Sequence, residues 1–200
     1  RVMITRGIKK TPSQDPRLTI SGPNLVIIAE YKKASTSSKD LGVRLFTSSI
    51  RRGSPDYLDP KLNCHSKLHE VQALIQAIEA GADEALMLDI NGFVSTCNAT
   101  NFFIVRDGEV WTSTGEYCMN GITRQKLIEL CHKNKITCHQ KNFSLYDTYS
   151  ADEAFVTGTF GGLTPVVSID GKPIANGVGI SISNKLSGLY DELIKDESQA

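Results

Sequence analysis

The chain has 200 residues, 40% hydrophobic and 22% charged, and its 22 basic and 22 acidic side chains cancel at neutral pH. That length and apolar content allow a sizeable buried core and exclude a disordered tail or a fibre. Balanced charge, with no basic cluster interleaved with aromatics, argues against nucleic acid as a partner, and apolar runs such as Leu25 to Ala29 fall far short of the about 20 residues that a bilayer crossing needs.

Arg1 to Gly7 reads as a strand with alternating Val2 and Ile4. It lacks an initiating methionine, so the true amino-terminal region is expected to be absent from this sequence. No charged-then-apolar leader opens it, which points to the cytoplasm or an organelle matrix. The polar stretch Ile8 to Pro23, with Pro12, Pro16, Gly22 and Pro23, reads as a linker or surface loop. Strands are expected over Asn24 to Tyr31 and Gly42 to Ser49, separated by a Lys/Ser-rich loop, Lys32 to Lys39. The basic pairs Lys9-Lys10 and Arg51-Arg52 are of the kind that decorates a solvated surface.

Pro55 and Pro60 bracket a turn, after which His65 to Glu79 reads as a helix. Leu68, Val71, Ala73, Leu74, Ile75 and Ile78 form its apolar stripe, and Gly81 is its stop. From Asp83 the pattern changes to short strands. Glu84 to Asp89 is followed by the Asn91-Gly92 hairpin turn, then by Phe102 to Arg106, an Asp107-Gly108 turn and Glu109 to Thr112. Thr123 to Asn134 is a helix with Thr123 as N-cap and Leu127, Ile128 and Cys131 on its apolar side. A strand from Ile136, a helical turn near Leu145, strands over Ala154 to Thr157 and Thr164 to Ile169, an Asp170-Gly171 turn and a helix from about Ile180 complete the chain. Many strands with three helices favour an α+β, mixed-sheet domain over a doubly wound βαβ fold.

Two segments have the character of anion sites. Gly121-Ile122-Thr123-Arg124 opens a helix, so its N–H groups and the Thr123 hydroxyl point to where the helix dipole favours negative charge, although a threonine after glycine also serves as a plain cap. Thr157-Gly158-Thr159-Phe160-Gly161-Gly162 follows a strand, where glycines let backbone amides approach a ligand or simply make a tight loop. Together they suggest a phosphorylated ligand without saying which.

The five cysteines, Cys64, Cys97, Cys118, Cys131 and Cys138, are odd in number and scattered, as expected of free thiols in a reducing compartment. Cys64, His65 and His69 lie close together, the two histidines at one-turn spacing, but no further ligand of suitable spacing follows, so no metal is expected.

From about Gly42 to the early part of the last helix the chain resembles the class IV, or fold type IV, pyridoxal-phosphate aminotransferases, the family of branched-chain and D-amino acid aminotransferases and aminodeoxychorismate lyase. The resemblance rests on Arg51-Arg52-Gly53-Ser54-Pro55-Asp56, Ala80-Gly81-Ala82-Asp83-Glu84-Ala85, Asn91-Gly92-Phe93-Val94, Asn98 to Asn101, Gly121 to Arg124, Ala151-Asp152-Glu153 and Gly158-Thr159, in that order. It implies a mixed-sheet large lobe of the D-amino acid aminotransferase-like fold over residues 41–200, with the end of a small amino-terminal lobe and a linker over 1–40. It also implies pyridoxal phosphate as cofactor, an amino acid or 2-oxo acid as substrate, and a homodimer. Ile122, Thr123, Gly158 and Thr159 would contact the cofactor phosphate.

At two positions the chain departs from the family. Transamination needs a lysine amine that bonds to the cofactor aldehyde and moves the proton, and an acid that keeps the pyridine nitrogen protonated. The lysine falls on Asn63, counting back without gaps from Ala80-Gly81, and the acid falls on Thr96. Neither replacement supplies that chemistry. Lys61, two residues before Asn63, and Lys67, four after, could reach the same face of a strand or helix, or be ordinary surface lysines. The expected activity is therefore weak or absent. A transaminase using Lys61 or Lys67 and a non-catalytic binding or dimerisation module are the alternatives.

Overall fold

The computed structural model describes residues 1–31, 41–175 and 181–199. The chain divides into two compact units, Arg1–Ala34 and Ser35–Ala200.

In the first unit, β1 (Val2–Thr5) pairs antiparallel with β2 (Asn24–Ile27), Val2 opposite Ile27 and Thr5 opposite Asn24. The stretch expected to be a linker is held by its own bonds. Ile20 donates to Ile8 O at 2.9 Å, Lys10 to Leu18 O at 2.9 Å, and Ile8 N to Ser21 Oγ at 2.8 Å. Its tip is a 3-10 turn, Pro16–Leu18, started by the Asp15 side chain accepting from Arg17 N. The expected loop Lys32 to Lys39 lies outside the described residues.

In the second unit a nine-stranded sheet forms among the described residues. Its strands are β3 (Val43–Thr47), β4 (Glu84–Leu88), β5 (Val94–Cys97), β6 (Asn101–Arg106), β7 (Glu109–Thr112), β8 (Cys138–Gln140), β9 (Glu153–Gly158), β10 (Gly162–Ile169) and β11 (Lys172–Pro173). Their order is β5-β4-β3-β10-β9-β6-β7-β8, with β11 on β10. The pairs β3/β4, β3/β10 and β7/β8 are parallel and the others antiparallel. Both sequential parallel pairs need a crossover. Helix α1 (Leu68–Glu79) joins β3 to β4, and α2 (Ile122–Lys133) joins β7 to β8. A short helix α3 (Leu145–Tyr149) precedes β9, and α4 (Ile182–Gln199) ends the chain.

β6 shows why the sheet is central. Phe102 and Ile104 point into one core cluster, with Leu86, Val94 and Phe143. Phe103 and Val105 point into the other, with Phe155, Leu127 and Leu186 under α2 and α4. A strand buried on both faces reads as a continuous apolar run rather than an alternation. Phe103 stacks on Phe155 of β9 at 5.0 Å. The hairpin at Asp107-Gly108 and the turn at Asp170-Gly171 place both residues of each pair at positive φ, 52° and 77°, then 52° and 74°, the type I′ geometry that suits strand twist.

Three local expectations change. The first helix begins at Leu68, not His65. Its buried face is Glu70, Ala73 and Ala77, while Leu68, Val71, Ile75 and Ile78 face outward. Two alanines allow a close approach to β4, which turns the larger aliphatic side chains of the expected stripe away from the sheet. The third change is at α2, whose N-cap is Gly121 rather than Thr123.

Candidate functional site

A cavity of about 390 Å³ opens where the loop before α1, the start of α2 and the end of β9 converge. Among its lining residues are Asn63, Lys67, Thr96, Ile122, Thr123, Gly158 and Thr159. The structure thus brings together positions as far apart in sequence as Asn63 and Thr159.

The anion-type features meet here. Gly121, in extended conformation, is followed at once by α2, and it provides no side-chain cap to the first-turn N–H groups. The 12-residue helix therefore presents its unsatisfied N–H groups and dipole to the cavity. Thr123 is buried, and its hydroxyl does not cap the helix but accepts a hydrogen bond from Tyr190 of α4 at 3.3 Å. Across the cavity the β9 end contributes Thr157, Gly158 and Thr159. Thr157 Oγ1 is buried with no hydrogen-bond partner. A Cβ at Gly158 would meet Thr100 Cγ2 at 3.4 Å, an ordinary van der Waals contact.

Position 96 is neutral and already engaged. Thr96 is buried and donates its hydroxyl proton to Thr100 O at 2.7 Å, while Asn101 Nδ2 reaches it at 3.4 Å. Asn101 also donates to Met119 O at 2.9 Å, tying β6 to the turn that leads into α2. The nearby Glu84 carboxyl is pushed up by burial and accepts from Thr100 Oγ1 at 2.5 Å.

The candidate lysines separate. Lys67, at the N-cap of α1, lines the cavity and lies 3.8 Å from Glu70 Oε1. Lys61 does not line it. Its ammonium faces Asp59 at 3.5 Å, and its N–H donates to Asp59 Oδ1.

Arg52 was expected on a solvated surface, and the structure corrects this. It is buried in the cavity wall, where Nη1 donates to Glu70 Oε1 at 2.8 Å and Nε to Tyr117 O at 3.2 Å. Glu70 was not singled out in sequence, and Arg52, Thr157 and Asn101 stood within quoted motifs without being given a role at the site. The buried ion pair had no signal beyond the Arg51-Arg52 motif, because the 18-residue separation of its partners reveals no periodicity. His69, beside Glu70, is held below the ordinary imidazole range by burial. Among the described residues no group of three or more His, Cys, Asp or Glu gathers as a metal site, and no helix is long and apolar enough to cross a membrane.

Comparison with known proteins accords with this geometry. Residues 1–169 match the family model of class IV amino-transferases. The chain is 38% identical over 193 residues to branched-chain-amino-acid aminotransferase-like protein 2 of Arabidopsis thaliana, covering 96% of this chain and 34% of that protein. It is 33% identical over 179 residues to the branched-chain-amino-acid aminotransferase of Pseudomonas aeruginosa, covering 88% and 58%. It thus spans about a third of the first relative's length. Among solved structures, the Escherichia coli branched-chain amino acid aminotransferase matches with TM-scores of 0.72 and 0.81 in two structures, the higher at 26% identity over 86% of this chain and 58% of that one. An aminotransferase from Brucella abortus bound to the co-factor PLP matches at 0.71 and 26% identity, covering 84% and 57%.

Proposed function

The chain belongs to the class IV aminotransferase family, and we propose that it is a branched-chain-aminotransferase-like lobe that holds the phosphate of pyridoxal phosphate but has weak or no transaminase activity. Residues 41–200 are read as the cofactor-binding lobe, and 1–40 as the end of a smaller lobe with its linker. When bound, pyridoxal phosphate supplies an aldehyde and an electron-withdrawing ring for amino transfer.

The residues fit the phosphate end of that group. The uncapped start of α2 offers Ile122 and Thr123 N–H groups, the orphaned Thr157 hydroxyl lies in the wall, and Gly158 and Thr159 close the opposite side. The ring end is where the fit fails. The reading rests on one observation: Asn63 and Thr96 line the same cavity as this cradle. An asparagine amide forms no covalent bond with an aldehyde, and the Thr96 hydroxyl, its proton committed to Thr100 O, brings no charge to a ring nitrogen. The test is amino transfer from branched-chain amino acids to a 2-oxo acid by the purified protein with added cofactor. Robust turnover would refute the reading.

One observation favours a second reading, a transaminase using Lys67, because Lys67 alone of the two substitute lysines lines the cavity. Turnover that survives Lys67→Ala would remove it. A homodimer belongs to both readings, supported by the outward Leu68, Val71, Ile75 and Ile78 of α1. A strictly monomeric protein at high concentration in sedimentation would count against it.

A further inference from the structure

Tyr190 of α4 touches both turns that frame the cavity. Its hydroxyl donates to Thr123 Oγ1 at 3.3 Å, in the first turn of α2. Its ring lies against the glycine turn between β9 and β10, where Gly162 takes a positive φ of 61° and pairs with Gly158. A Cβ at Gly162 would meet Tyr190 Cε1 at 3.4 Å and Cδ1 at 3.5 Å. The tyrosine is buried in one cluster with Leu127 of α2, Leu163 of β10 and Leu186 of its own helix.

The direction of the hydrogen bond decides what Thr123 can do. A hydroxyl has one proton and two lone pairs. Thr123 Oγ1 accepts from Tyr190, which leaves its own proton to donate. For a hydroxyl on a helix the ready local acceptor is the carbonyl four residues back, here Met119 O. That carbonyl already accepts from Asn101 Nδ2 at 2.9 Å and from Gly121 N at 3.0 Å. Thr123 lines the cavity, so a ligand oxygen held there is the acceptor that remains.

We propose that Tyr190 is a positioning residue for phosphate binding. By donating to Thr123 Oγ1 it fixes the Thr123 hydroxyl as a donor to a ligand phosphate, and its ring sets the place of the glycine turn opposite. Linked hydrogen bonds of this kind polarise one another, and a double-mutant cycle separates that coupling from simple packing. The proposal rests on the reading that the cavity holds a phosphate.

The test titrates pyridoxal phosphate and inorganic phosphate against the unmutated protein, Tyr190→Phe, Thr123→Val and the double variant, below the lowest melting temperature of the four. Both substitutions keep the shape of the side chain. Thr123→Val is expected to weaken both probes about fivefold, as for one lost hydrogen bond, and Tyr190→Phe on the order of threefold. The double variant is expected to bind no more weakly than Thr123→Val alone, because Tyr190 acts through that hydroxyl. Unchanged affinity in Tyr190→Phe, or losses that multiply in the double variant, would overturn the proposal and leave the phosphate cradle standing. An unmutated protein that binds neither probe would overturn the cradle and the role of Tyr190 together.

Discussion

Arg52 Nη1 meets Glu70 Oε1 at 2.8 Å with both side chains under a tenth exposed, so an ion pair sits in the wall of the cavity. Removing one partner leaves the other charge buried without its counter-charge. Glu70→Ala is expected to cost about 3–5 kcal/mol in urea unfolding, and replacing both residues with methionine is expected to recover most of that loss. Equal losses in the single and double variants would show that the pair is not a coupled unit.

Sequence made the topology legible wherever a single residue type dictates the backbone. The Asp-Gly pairs at 107–108 and 170–171 sit at positive φ, and the doubly apolar Phe102 to Val105 run is a central strand. The α1 stripe misled because helical period alone does not say which of two faces meets the sheet. Ala73 and Ala77 won by allowing close approach, against larger side chains with more area to bury. At the site, Gly121 and Gly158-Thr159 were visible as local turns. The Arg52–Glu70 pair and the Tyr190 to Thr123 bond join residues distant in sequence, and no spacing rule encodes such contacts.

Thr159 is exposed at the cavity edge, so its loss should leave the fold intact. Thr159→Ala is expected to weaken binding of pyridoxal phosphate about fivefold, as for the loss of one hydrogen bond of about 1 kcal/mol, with an unchanged melting temperature. Unchanged affinity by fluorescence titration would remove Thr159 from the cradle.

The orphaned Thr157 hydroxyl gives a separate test. Valine has the same shape without the hydroxyl, so Thr157→Val is expected to stabilise the ligand-free protein by about 1 kcal/mol in thermal unfolding. A destabilised variant would mean that the hydroxyl has a partner in the free protein.

Glu153 starts α4 from a distance, accepting from Ile182 N at 2.8 Å, Ser183 N at 3.0 Å and Ser181 Oγ at 2.7 Å, as well as from Ser183 Oγ. Burial alone would raise its carboxyl, but these bonds outweigh it and hold the group below the ordinary range. A folded value below the unfolded one, about 4.3, means stability that is fully present above the unfolded value and lost as pH falls through the folded one. Glu153→Gln is expected to lose about 1–2 kcal/mol at pH 7 and to converge on the unmutated protein at low pH. A loss of equal size at pH 7 and at low pH would contradict the ionised cap.

The most direct measurement is to titrate the purified protein with pyridoxal phosphate, reduce it with borohydride and map modified lysines by mass spectrometry. Saturable binding that inorganic phosphate competes away, with no lysine labelled in stoichiometric amount, is the expected result for a phosphate cradle whose lysine position is Asn63. Stoichiometric label on Lys67 or Lys61 would contradict it, and would show that the covalent bond has moved along the chain instead of being lost.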